Sequence, residues 1–178
     1  ITNPPRIIVA TGQPVASTTQ TSIYLGVPAS GEDHLDPDPP TPITGTERRG
    51  EPEETTVRVG AGDAHLYTEC ARIWNPIHTD PDVARRAGLP GIILHGTANL
   101  AHGVTAVIDQ RAGGRPELVR RISGRFAAMV PLPSALRIRV WPANDTGDGR
   151  STVPCEVLND AGAPAVKDGL VVLGEAER

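Results

Sequence analysis

Asn75, Pro76 and His78 lie within four residues of one another, and a second histidine, His95, is followed at once by Gly96. These residue types at this spacing can do proton chemistry beside a carbonyl. Pro76 fixes its own φ, and the Asn75 side chain can bond the backbone two residues on, so the loop holds one shape. Such a loop presents His78 in one orientation. Imidazole titrates near neutrality and both gives and takes protons. His95-Gly96 stands where an apolar segment begins. If that segment is a helix, its first free N–H groups and its dipole stabilise a developing oxyanion. Glycine there leaves room for a carbonyl to approach. A proton-transfer group opposite an oxyanion site is what chemistry alpha and beta to a thioester carbonyl requires. A lone loop histidine, however, is more often a surface or capping residue, and packing or capping is the commoner job of a histidine at a helix start. Of the other histidines, His65 reads as solvated, His102 as a hydrogen-bonded core or interface residue and His34 as inert.

The elements that must position these residues follow from periodicity and punctuation. Residues 6–26 read as two short strands around Gly12-Gln13-Pro14. Residues 28–54 are dense in Pro, Gly and acid and read as a linker. A strand over 54–60 precedes a helix with Asp63 as N-cap and Leu66, Cys70 and Ile73 as an apolar stripe. Asn75-Pro76 ends that helix, because the residue before proline avoids the α region. Thr79 or Asp80 caps a short helix over 81–87, with Gly88 as its stop. From His95 to Asp109 apolar and small residues fall on nearly every face, which predicts a buried helix over 96–110. Four strand-like segments follow, at 118–130, 135–141, 151–158 and 165–173. One apolar helix wrapped by a curved antiparallel sheet is an α+β arrangement, the hot-dog fold.

Bulk properties narrow the function classes. The 178 residues suffice for one sizeable domain and carry a net charge of −4. That balance gives no basic footprint for nucleic acid and no polybasic patch for a membrane surface. Lys167 is the only lysine, and aromatics make up 3%, so the core must be built from Val, Ile, Leu and Ala. Cys70 and Cys155 fit no metal-ligand spacing, no metal site is expected, and two free thiols in a reducing cytoplasm is the favoured reading. No run approaches the roughly 18–20 apolar residues of a membrane span.

Residues 67–96, YTECARIWNPIHTDPDVARRAGLPGIILHG, resemble the signature of the MaoC-like, or (R)-specific enoyl-CoA hydratase, family. There a Ser-Gly-Asp-x-Asn-Pro-x-His segment is followed by a short helix, a glycine and an apolar stretch ending in His-Gly. The resemblance continues weakly through RRISGRFAAMVPLPSALRIRV. It implies a hot-dog protein that adds water reversibly to trans-2-enoyl thioesters of CoA or acyl carrier protein, with no cofactor beyond the thioester carrier. His78 then matches the catalytic histidine and Gly96 the glycine that binds the thioester oxygen. Asn75 and Pro76 match the loop-forming pair and, with His95, are expected beside the substrate. Arg125, with Arg85 and Arg86, is a candidate for the carrier's phosphates. A homodimer or pseudo-dimer is implied, with acyl carrier protein as a candidate partner.

The departure is at the catalytic aspartate, whose position holds Ile73. Three readings follow. Glu69, one helical turn earlier, supplies the acid, with Asp80 a weaker candidate. His78 acts alone. Or the site is degenerate and the chain is a non-catalytic acyl-thioester-binding or assembly subunit. The expected organisation is an N-terminal β extension over 1–27, resembling the closing strands of another hot-dog unit, a linker over 28–54 and a MaoC-like domain over 55–178.

Overall fold

The computed structural model describes residues 6–8, 11–22, 26–28, 30–32, 41 and 43–175. His34 and parts of the stretches read as extension and linker lie outside the described residues. The chain divides into two units, Ile1–Ile43 and Thr44–Arg178. In the first, β1 (Arg6–Ile8) and β2 (Pro14–Ser17) pair antiparallel as a two-stranded sheet of their own.

The second unit holds β3 (Glu53–Val59), α1 (Asp63–Ala71), α2 (Pro81–Arg86), α3 (Gly96–Arg111), β4 (Val119–Phe126), β5 (Ser134–Val140), β6 (Asn144–Asp145), β7 (Ser151–Leu158) and β8 (Pro164–Leu173). Its antiparallel sheet runs in the order β3-β5-β7-β8-β4, with the short β6 on β7. Alternation sets the faces. Leu136, Ile138 and Val140 of β5 are wholly buried, while Arg137 and Arg139 between them meet Glu54, and Arg139 also meets Glu156. Each such half-exposed pair contributes at most about 1 kcal/mol, so the apolar face holds the sheet to its helix.

That helix is α3, which packs on β5, β7 and β8 through a face carrying Ala98, Asn99, Gly103, Ala106 and Val107. At Gly103 a Cβ would stand 3.1 Å from a Val157 methyl, so helix and sheet approach closely only because the residue is glycine. Cys155 lies beneath this contact, and burial pushes its thiol up to about 12. It packs as a small apolar residue, and Cys70 is likewise unpaired. The expectation that α3 is buried on every face needs correction. Thr97, Ala101, Thr105 and Asp109 form an exposed row. A four-residue step stays on one side of a helix, and the sheet covers the other.

Three further details differ from the sequence reading. Helix α1 ends at Ala71, well before Asn75-Pro76, because Arg72 turns left-handed (φ 55°) and its N–H caps Thr68 O. Its stripe of Leu66, Cys70 and Ile73 faces outward. The second unit also begins inside the stretch read as linker. Asn144 Nδ2 donates to the carbonyls of Gly45 and Glu47 at 3.0 and 2.8 Å, and Arg48 lies 4.3 Å over the Trp141 ring.

The connection after β4 bears most on the site. Ala127 and Ala128 still donate to Ala165 and Pro164 carbonyls, after which the chain turns to pair with residues 92–94. Leu94 N–H donates to Val130 O at 2.9 Å and Leu132 N–H to Ile92 O at 3.2 Å, bracketing the Ile93–Pro131 bridge. In this pattern the Ile93 carbonyl points away from 130–132 and is free for another donor.

Candidate active site

Asn75 caps a single 3-10 turn, Pro76–His78. Its Oδ1 accepts from Ile77 N–H at 3.4 Å, and its carbonyl accepts from His78 N–H at 3.1 Å. Asp80 then caps α2, its Oδ1 accepting from the amides of Asp82 and Val83 at 2.8 and 3.1 Å. Those two amides, Val83 foremost, hold its carboxyl below the usual carboxylate range. Asp80 is thus occupied as a cap. His65, read as solvated, donates through Nε2 to Thr79 O at 3.0 Å and ties the far side of the loop to α1.

His78 is buried, and its Nδ1 lies 2.7 Å from the Ile93 carbonyl. A carbonyl only accepts, so Nδ1 carries the proton, and neutral His78 keeps its lone pair on Nε2. His95 precedes α3 as its N-cap residue, but its side chain does not cap. The ring instead stacks on His78, with centroids 3.6 Å apart and planes inclined by 22°. The Tyr67 ring also meets His95, tilted by 48° with centroids 4.9 Å apart. Burial, and then the neighbouring His78, lower the His95 pKa, with the Ile73 backbone opposing. His95 Nε2 lies 3.3 Å from the Thr68 hydroxyl, and its Nδ1 is buried with no hydrogen-bond partner among the described residues.

Because His95 does not cap, the amides of Gly96, Thr97 and Ala98 have no acceptor among the described residues. They are the positive end of a 16-residue helix. The Phe126 ring lies over Gly96, where a Cβ would come within 3.0 Å of it.

The fold therefore brings Asn75, Pro76, His78, His95 and Gly96 together. It does not bring Glu69 to them by any bond: the residue is exposed, and no hydrogen bond or ion pair joins it to His78. Arg125 is exposed and pairs with Asp168 at 3.4 Å, and Arg85 pairs with Asp82 at 2.7 Å. His102, in α3, is half-buried, and burial lowers its pKa. Among the described residues no group of three His, Cys, Asp or Glu side chains could hold a metal. Two clefts, of about 540 and 470 Å³, are lined by other residues. The first is walled by Arg111, Arg115 and Arg150, and the second by Met129, Pro131 and Asn159. Sequence reasoning missed Thr68, Tyr67 and Phe126. Each reaches the site through a contact distant in sequence, and no local pattern marks it.

Residues 36–161 match the family described as MaoC like domain. The chain belongs to this MaoC-like family. It is 34% identical over 100 residues to peroxisomal enoyl-CoA hydratase 2 of Arabidopsis thaliana, a match covering 56% of this chain and 29% of that protein. It is 33% identical over 114 residues to the enoyl-CoA hydratase ChsH3 of Mycobacterium tuberculosis, covering 64% and 36%. The chain thus spans only about a third of the length of these relatives. The solved (R)-hydratase of A. caviae superposes with a TM-score of 0.62 at 22% identity, over 74% of this chain and 98% of that one. The MaoC-like chain has the hot-dog fold, as expected, and His78, His95 and Gly96 lie within the matched residues.

Proposed function

We propose that the chain adds water reversibly to trans-2-enoyl thioesters of CoA or acyl carrier protein. The observation that carries this reading is the Nδ1 bond of His78 to the Ile93 carbonyl, which leaves Nε2 as a fixed base in a buried loop. The hydratase names of the family relatives support it. In the proposed reaction the thioester oxygen accepts from Gly96 N–H, which draws electrons from C3. His78 Nε2 removes a proton from a water as the water's oxygen bonds to C3. The protonated ring then returns that proton to C2. One O–H bond and the C2=C3 π bond break, one C–O and one C–H bond form, and the ring ends as it began. No cofactor enters this balance. With isoleucine at position 73, His78 serves as base and then as acid.

Arg85, Arg86 and Arg125 are exposed cations available to the carrier's phosphates. The surface pairs of Arg85 with Asp82 and of Arg125 with Asp168 are weak enough for a phosphate to displace. A homodimer or pseudo-dimer fits the outer position of β4 in the sheet of the described residues, where Ile122 and Phe126 are about half exposed. Two free thiols suit a reducing cytoplasm. Ile73 itself favours the second reading, a subunit that binds acyl thioesters without hydrating them.

Purified protein assayed on crotonyl- to dodecenoyl-CoA separates the two. Hydration is expected for at least one thioester, slower than in aspartate-bearing relatives by about 10²–10⁴, the usual cost of losing one acid–base partner. Binding without turnover on every thioester would leave the subunit reading. Gly96→Ala supplies an independent check. Its methyl must displace the Phe126 ring and crowds the amide that receives the carbonyl. A fall of at least about tenfold in kcat/KM is expected, since small misplacements at a reacting centre cost one to two orders of magnitude. An unchanged kcat/KM would remove Gly96 from the oxyanion role.

A further inference from the structure

Thr68 makes two kinds of contact at once. Its carbonyl accepts the Arg72 N–H that closes α1 and the Ile73 N–H at 3.2 Å. Its hydroxyl meets His95 Nε2 at 3.3 Å. It is itself buried, as is His95, and His95 stacks on His78. One residue therefore joins the end of α1, the position that holds isoleucine in place of an acid, and the paired imidazoles. We infer that Thr68 is the positioning residue of this site: through His95 it fixes the plane on which His78 rests.

The physical grounds are these. His78 is anchored at a single atom, Nδ1. One hydrogen bond sets where that nitrogen lies but leaves the ring free to tilt about it, and a stacked partner removes the tilt. The partner does so only if it is itself fixed. His95 has no side-chain cap bond, and its Nδ1 has no partner among the described residues, so beside a backbone contact from Ile73 the Thr68 hydroxyl is its one side-chain hydrogen bond among those residues. Tyr67 touches it only as a tilted ring. Where an aspartate would otherwise share the work of orienting water, aim depends on the imidazole alone, so loss of the hydroxyl acts on turnover and not on binding. The residue is buried, and its effect passes through His95.

This inference rests on the proposed hydratase reading. The test pairs Thr68→Val, which removes the hydroxyl, with Thr68→Ser, which keeps it. Crotonyl-CoA kinetics are measured beside imidazole nitrogen NMR of isotope-labelled protein. In Thr68→Val, kcat is expected to fall about tenfold, the rate equivalent of one ordinary hydrogen bond, with KM held within about twofold. The His95 nitrogen signals move toward the average of exchanging tautomers, while Thr68→Ser restores both. A Thr68→Val protein with unchanged kcat, or with unmoved His95 signals, overturns the inference, as does a rise in KM at constant kcat. If Thr68→Val does not fold, Thr68→Cys replaces it. Should wild type hydrate nothing, the hydratase reading fails by itself, and the NMR comparison alone decides whether Thr68 holds His95.

Discussion

Replacing His78 with alanine is expected to lower hydration of enoyl thioesters by about 10²–10⁴, the range of a positioned acid–base group. The loss should fall on kcat and leave KM little changed, because the ring acts on the water and not on the carrier. The same substitution also leaves the Ile93 carbonyl without its donor in a buried place. That costs about 1–3 kcal/mol of stability, so alanine alone confounds chemistry with folding. His78→Gln separates them. Its amide N–H can still donate to Ile93 O, and it has no basic nitrogen to take a proton. The glutamine variant should keep most of the melting temperature and lose the activity as fully as alanine does. Steady-state rates and thermal denaturation on the two variants decide it. Substantial activity in a folded His78→Gln protein would show that His78 orients the site without handling protons.

How much of this site could be read from the chain depends on distance along it. The loop was legible because its causes are local. Asn75 bonds Ile77, Pro76 starts the turn, and Asp80 caps α2 through amides two and three residues away. The four later strands were legible because alternation such as that of Leu136, Ile138 and Val140 repeats the faces of a sheet. The end of α1 was not. Proline at 76 forbids helix only just before itself, whereas the observed stop is a left-handed arginine four residues earlier, a conformation that no propensity favours. Nor was the stacking of His95 on His78. It depends on the pairing of 92–94 with 130–132, and the latter segment lies beyond the whole of α3 and β4. Burial along α3 was misjudged for a related reason. Alanines such as Ala101 read as core residues by composition, but the exposed row is set by which side the sheet covers.

Ile73→Asp is expected to raise hydration by about tenfold or more, the lower part of the range that one acid–base partner contributes. Ile73 is 39% exposed, so aspartate there meets water and should change stability by no more than about 0.5 kcal/mol. Its backbone is already held by Thr68 O, and the turn that carries His78 begins two residues later. A carboxylate at this place therefore enters an ordered segment and needs no rearrangement of the loop. Glu69→Gln is the companion variant. Glu69 lies exposed on α1 with no bond to His78, and its amide should hydrate within about twofold of wild type, as surface changes away from a site do. The two results together discriminate among the three sequence readings. A gain from aspartate with an indifferent Glu69 marks a hydratase site weakened at position 73. Loss of activity in Glu69→Gln would mean that the acid has moved back one helical turn, with the free side chain swinging over the loop when substrate binds. If both variants match wild type while His78→Gln is inactive, the imidazole carries both proton transfers, and isoleucine at 73 costs the reaction nothing.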